Sequence, residues 1–177
     1  MSETNRLIIR QLRPSDRHQA EALHEQLLAD EFEFLVGRGE RESFADYVAR
    51  QLANEEGRDI PEGWVRAGFY VAERDGELLG RLGVRYELNA FLASVAGHLG
   101  YGVGPAYRRQ GVAEALARFG LRRLHVSGVD QALITCDEAN TGSRATIEKV
   151  GGRLDRQQPT VRRHDGGTTL RFWAPTG

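Results

Sequence analysis

One cysteine in 177 residues, Cys136, leaves no partner for a disulfide and no set for a multi-cysteine zinc site. A reducing, cytoplasmic setting is therefore expected, and no metal. Neither sign of charge predominates: Lys and Arg total 24 and Asp and Glu 25, a formal net charge of -1. That balance argues against a protein that grips nucleic acid through a basic face. Apolar runs of membrane-spanning length are missing, so no membrane partner is expected. The first residues, Met-Ser-Glu-Thr-Asn-Arg, lack the apolar stretch of a signal peptide. Internal repeats and low-complexity tracts are absent too. What remains is an ordinary globular mixture, 40% hydrophobic and 28% charged, long enough for one well-cored domain over 1–177.

Leu7 to Leu12 reads as a strand, and Pro14, Ser15 and Asp16 start a helix with Ala20, Leu23, Leu27 and Leu28 on one face. After Gly37 and Gly39, Ser43 caps a second helix whose inner face is Phe44, Tyr47, Val48 and Leu52. The pair is expected to lie across a sheet. Phe32 and Phe34, between the helices, line a pocket or belong to the core. Gly68 to Arg74 and Glu77 to Tyr86 flank Asp75-Gly76, a strong hairpin signal. Glu87 to Ala96 has helical spacing. Gly97 to Val103 alternates: Leu99, Tyr101 and Val103 share one side, His98, Gly100 and Gly102 the other. A strand face of glycines implies that something approaches its backbone closely.

The chain centres on Tyr101 to Ala117, a strand, a Gly-Pro turn and an alanine-rich helix expected from about Arg109. Arg108 and Arg109 stand where a helix already carries partial positive charge, which makes sense if an anion binds there. Gly111 and Ala113 would let a phosphate approach the backbone. An exposed helix start with its arginines in water is the competing reading. Ala132 to Cys136 then reads as a central strand, Asn140 or Thr141 as a helix start, and Gly151-Gly152 as its end. Arg153 to Gln157 and Thr168 to Trp173 are expected to pair as a terminal hairpin. The order predicts an α/β fold with helices on both faces of a mixed, mostly antiparallel sheet.

Arg108-Arg109-Gln110-Gly111-Val112-Ala113 resembles the acetyl-CoA signature of the GNAT superfamily of N-acetyltransferases, Q/R-x-x-G-x-G/A. The preceding Gly-Tyr-Gly-Val strand, the strand Leu133 to Cys136 and the run Asn140 to Gly152 extend the likeness. It covers Gly68 to Gly152, and His98-Leu-Gly-Tyr, Thr135-Cys136-Asp137 and Asn140-x-x-Ser143-Arg144 look like a bacterial subgroup of predicted acetyltransferases. The resemblance implies a GNAT fold whose sheet splays at the cofactor, and acetyl-CoA as cosubstrate. Its pyrophosphate would lie on amides from Arg109 through Gln110, Gly111, Val112 and Ala113 to Glu114, with Arg108 or Arg109 adding charge. The pantetheine would pair with Tyr101, Gly102 and Val103, and Asn140 and Ser143 would meet its far end. Direct acetyl transfer to the amine of a small molecule or peptide follows, with a homodimer possible.

Proton chemistry is less determined. His98 and Glu87 are candidate bases, each weighed against a merely structural or solvated role. Family members bring a tyrosine seven residues after the asparagine as general acid. Here that position is Ile147. Tyr101 is the candidate substitute. Cys136 reads better as a small buried residue than as a nucleophile. The missing tyrosine keeps open a second reading, a non-catalytic acyl-CoA-binding or sensing module.

Overall fold

In a computed structural model, residues 6–177 are described. The strands are β1 (Ile8–Gln11), β2 (Ala67–Arg74), β3 (Glu77–Arg85), β4 (Leu99–Val103), β5 (Gln131–Asp137), β6 (Arg153–Leu154), β7 (Thr160–Arg162) and β8 (Thr168–Pro175). The helices are α1 (Arg17–Leu28), α2 (Phe44–Glu55), α3 (Val112–Val126) and α4 (Thr141–Lys149). The sheet order is β1-β2-β3-β4-β5-β8-β6, with β7 paired to β8. All pairings are antiparallel except β4 with β5. No helix among the described residues is long and apolar enough to cross a membrane.

Strand alternation, reset in β3 by a bulge at Leu79, assigns each side chain to one of two cores. Phe69, Val71 and Leu78 pack with Leu23, Leu27, Phe34, Phe44 and Tyr47 under α1 and α2. Tyr70, Leu79, Leu82, Val84, Leu99 and Val103 pack with Leu116, Leu121, Leu124 and Ile147 under α3 and α4. Leu28, expected on the inner face of α1, is instead 51% exposed, one step past the buried stripe that ends at Leu27.

Local chemistry sets the ends of the elements. Asp75 and Gly76 both take positive φ, 53° and 81°, as a tight hairpin turn needs. Gln19 of α1 grips that turn, donating to Gly76 C=O (3.0 Å) and accepting from Leu78 N–H (2.8 Å). Ser43 caps α2 by accepting the Asp46 N–H. The C-terminal hairpin forms differently from expectation. Thr160–Arg162 pairs with β8 across Asp165-Gly166-Gly167, while Arg153 and Leu154 pair further along β8, with Trp173 and Phe172. The segment 155–159 turns away because the Asp155 carboxylate accepts the Gln157 N–H.

Asp16 joins the first strand to the first helix. Its buried carboxylate accepts two bonds from Arg10, at 2.8 and 2.9 Å, and one from Arg13 N–H at 2.8 Å. Burial alone would raise its pKa, but Arg10 and the Arg13 amide outweigh it and hold the carboxyl below the ordinary aspartate range. Its stabilisation is then fully present above the unfolded value, about pH 4, and lost as pH falls through the lower folded value. Asp16→Asn should cost about 2 kcal/mol in urea unfolding at pH 7. The gap to wild type should persist down to about pH 4 and shrink on further acidification. A gap that widens in acid would overturn this assignment.

Candidate active site

The sheet opens between β4 and β5. Their parallel register holds one pair, Leu99 with Ile134. His98 N–H donates to Leu133 C=O at 2.7 Å, and Leu133 N–H donates to His98 Nδ1 at 2.9 Å. Gly97 permits the approach: its φ is +65°, and a Cβ there would stand 2.4 Å from Leu133 O. Beyond Leu99 the strands part, and no strand among the described residues pairs with β4 on that side.

The register with β3 fixes which groups face the gap. Arg85 N–H donates to His98 C=O (2.7 Å) and Gly104 N–H to Leu79 C=O (2.8 Å). The alternation between those points turns the main chain of Gly100 and Gly102 toward β3. That of Tyr101 and Val103 faces the parting. Arg108 Nε takes Val103 C=O at 3.2 Å, leaving the Tyr101 amide groups and the Val103 N–H along that edge.

The parting leads to the start of α3. The helix begins at Val112, three residues after the expected Arg109, because Arg109 and Gly111 both take left-handed φ, 58° and 79°. Residues of alternating hand turn successive N–H groups to one side, an anion-binding arrangement, and no side chain caps the first turn of α3. Gln110 is anchored at both ends of its amide, to Ala106 C=O and to Arg74. Of the two arginines, Arg108 is already committed to Asp30 and the Val103 carbonyl. Arg109 is exposed. Glu114 pairs with Arg118 and Lys149.

Across the parting, the Asn140 side chain accepts the Ser143 N–H at 2.9 Å, capping α4. The Tyr101 hydroxyl lies 3.3 Å from Ser143 Oγ, bridging β4 to α4. Burial pushes the Tyr101 phenol up to about 12, so it stays protonated at neutral pH. Ile147 is fully buried in the α3–α4 core and does not face the gap. Cys136 is buried as well, its thiol pushed up to about 11 by burial.

The other two expected proton carriers are placed apart. His98 is 6% exposed, and its Nδ1 acceptance leaves the ring proton on Nε2. Burial, with Arg85 nearby, lowers its pKa. Glu87 is exposed at the far end of β3, where it accepts the Arg66 N–H at 3.4 Å.

On the α1–α2 face, the chain carries groups that sequence reasoning missed. Residues Leu92–Ala96 form a single π turn, not the longer helix expected over Glu87 to Ala96. Its carbonyls are held by side chains from three strands. Arg171 takes those of Ala93 and Ser94, Thr135 that of Val95, and Arg85 those of Ala96 and Gly97. Arg81 likewise takes the carbonyls of Glu33 and Phe34 in the α1–α2 connection. Its guanidinium stacks on Phe32 at 4.7 Å, and Phe32 covers Gly102. Phe34 is core. The available signal was charge at inward positions of β3, Arg81 and Arg85 alternating with Leu82 and Val84. A surface cleft of about 1300 Å³ around β6 and β8 shares only Arg171 with these groups.

Comparison with known proteins matches this geometry. Residues 6–153 match the acetyltransferase (GNAT) domain family. Mycothiol acetyltransferase of Thermobispora bispora is 37% identical over 89 residues, 48% of this chain and 30% of that protein. Its Streptomyces avermitilis counterpart is 33% identical over 85 residues, again 48% of this chain and 27% of the relative. The aligned stretch thus spans less than a third of either relative. Among solved structures, a spermidine N-acetyltransferase SpeG chimera from Vibrio cholerae and hSSAT superposes with TM-score 0.63 at 15% identity, over 96% of this chain and 95% of that one. Mycobacterium smegmatis RimJ in complex with CoA-disulfide gives 0.61 at 24%, over 96% and 81%. YncA from Salmonella typhimurium, solved with acetyl-CoA, gives 0.59 at 14%, over 98% and 95%. A fold parted between β4 and β5, and a family match over most of its length, make this chain a member of the GNAT acetyltransferase family.

Proposed function

We propose that the protein is an acetyl-CoA-dependent N-acetyltransferase acting by direct transfer on a primary amine of a small molecule or peptide. The parting of β4 from β5 carries this assignment. It offers the main-chain groups of Tyr101 and the N–H of Val103, unpaired among the described residues, to an extended amide-bearing arm, and it ends at the uncapped start of α3. Similar structures that hold CoA-type ligands support the same cosubstrate.

In this mechanism the pyrophosphate rests on the amides of Arg109 through Glu114, and Arg109 is the free cation beside it. Arg108 serves differently, fastening the turn to Asp30 and to the edge of β4. The amine nitrogen attacks the thioester carbonyl carbon, and the main-chain N–H groups at the parting stabilise the developing oxyanion. The C–S bond then breaks and the sulfur takes a proton. Tyr101 is the donor, and the proton that the nitrogen sheds on becoming an amide returns to it by way of Ser143. His98 positions the two strands. The acceptor ammonium therefore loses its proton to solvent before attack, and kcat/KM should climb with pH toward the acceptor's own pKa.

Purified protein with acetyl-CoA and a panel of amines, with liberated thiol as readout, should show turnover on at least one acceptor class. Acetyl-CoA binding without thiol release on any amine supports the sensing module instead. Gly111→Glu should weaken acetyl-CoA at least about hundredfold by isothermal titration, because it brings like charge to the phosphate turn. Open space around Gly111 limits the folding penalty to the left-handed φ, about 1 kcal/mol. Unchanged affinity would refute the pose. Tyr101→Phe should lower kcat about 100-fold with little change in acetyl-CoA KM. His98→Gln should leave the midpoint of the acidic limb where it is. A moved midpoint makes His98 the base.

A further inference from the structure

Arg81 and Arg85 stand on the α1–α2 face of β3 and converge on a thin patch of sheet. Gly83 and Gly100 are register partners at that point. A Cβ on Gly83 would lie 2.9 Å from Arg81 Nη1, and one on Gly100 3.5 Å from Arg85 Nη2. Arg81 holds the α1–α2 connection through Nε and Nη2, and Arg85 holds the π turn through Nη1 alone. Arg81 Nη1 and Arg85 Nη2 have no hydrogen-bond partner among the described residues, and neither is shut away from solvent.

No carboxylate pairs with either side chain among the described residues, although Arg81 is only 6% exposed. Burial, and then Arg85, depress Arg81 to about 10. Arg85 is depressed by burial as well. Glu33 is the acid that faces Arg81, and its carboxylate is turned to the Gly37 N–H. Two desolvated like charges facing one floor are costly unless something negative joins them.

We propose that the Gly83–Gly100 floor is an anion subsite for the acceptor, which carries a carboxylate a few carbons from its amine. Each guanidinium has a terminal nitrogen with no partner among the described residues, and two such nitrogens from two side chains match the two oxygens of a carboxylate. With no side chain on Gly83 or Gly100, the two guanidiniums lie close over the backbone there and present those nitrogens to the carboxylate. Gly100 precedes Tyr101, so the subsite adjoins the main-chain groups that face the thioester on the proposed reading. That proximity selects short amino-acid-like acceptors and disfavours polycations. The subsite rests on the acetyltransferase reading for its purpose but not for its existence.

The test uses three amines of matched length with acetyl-CoA: β-alanine, its amide, and 1,3-diaminopropane. The carboxylate amine should lead the amide at least tenfold in kcat/KM, mostly through KM, with the diamine slowest. Gly100→Ala, whose added methyl meets Arg85 at ordinary contact distance, should erase the preference while the fold is kept. Arg85→Gln should do the same, but it also releases the π turn, so the glycine variant decides. Turnover with no preference for the carboxylate overturns the subsite and leaves the acetyltransferase standing. If no amine turns over, titration of β-alanine against the Gly83 and Gly100 amide resonances decides alone. Saturable shifts in wild type, lost in Gly100→Ala, support the subsite, and their absence overturns it. Equal shifts with inorganic phosphate at the same concentration would mean a generic anion contact and also overturn it.

Discussion

A single clasp decides what the sheet can do. Leu133 exchanges two hydrogen bonds with His98, one to the histidine main chain and one from its own N–H to the ring. Both strands are held at that point, and immediately beyond it they diverge. A parallel pair that continued would bury its edges in a ladder. One that never met would leave no fixed opening. The positive φ of Gly97 and its closeness to Leu133 O make glycine the residue that fits the join. An imidazole that accepts an amide proton and sits out of water has its tautomer and charge state settled by that job. On the proposed reading, His98, the first sequence candidate for a base, is the piece that sets the geometry of the opening.

The walls of the opening depend on arginine in an unusual way. Loops cross a sheet face only if their carbonyls find donors. Here Arg81, Arg85 and Arg171, with Thr135, supply those donors to two separate loops. Of the three guanidiniums, Arg171 also has a carboxylate, that of Asp155. Arg81 and Arg85 hold their loops as cations without one among the described residues. The same geometry that fixes the loops therefore leaves positive charge directed at the face where an acceptor would enter on the proposed reading.

Much of the architecture was legible because local rules and tertiary packing agreed. Asp75-Gly76 marked its hairpin, Ser43 its helix cap, and the alternation of Leu99, Tyr101 and Val103 against Gly100 and Gly102 its two faces. The misses have physical causes. Leu92 to Ala96 carries helical spacing, yet the segment stops after one π turn because its carbonyls bond to strands and not to a following turn. Thr160–Arg162 is too short and polar to announce a strand, and it exists because β8 offers it a partner. Arg81 and Arg85 were invisible as site residues because a charge in an apolar strand signals only that something compensates it, not what.

The signature turn shows why a motif underdetermines its own roles. Arg108 and Arg109 are adjacent and chemically identical, and the sequence ranks neither above the other. The backbone separates them. Left-handed φ at Arg109 sets that residue out at the bend, while Arg108 turns back to Asp30 and Val103. An arginine already neutralised by aspartate adds little field at a neighbouring anion site. On the proposed reading the phosphate is held chiefly by main-chain amides, and one guanidinium organises the turn while the other stays available. The same division recurs at position 147, where isoleucine fills the core and the hydroxyls of Tyr101 and Ser143 span the gap. Where the fold fixes backbone and packing, the polar roles pass to whichever side chains the geometry leaves facing the opening.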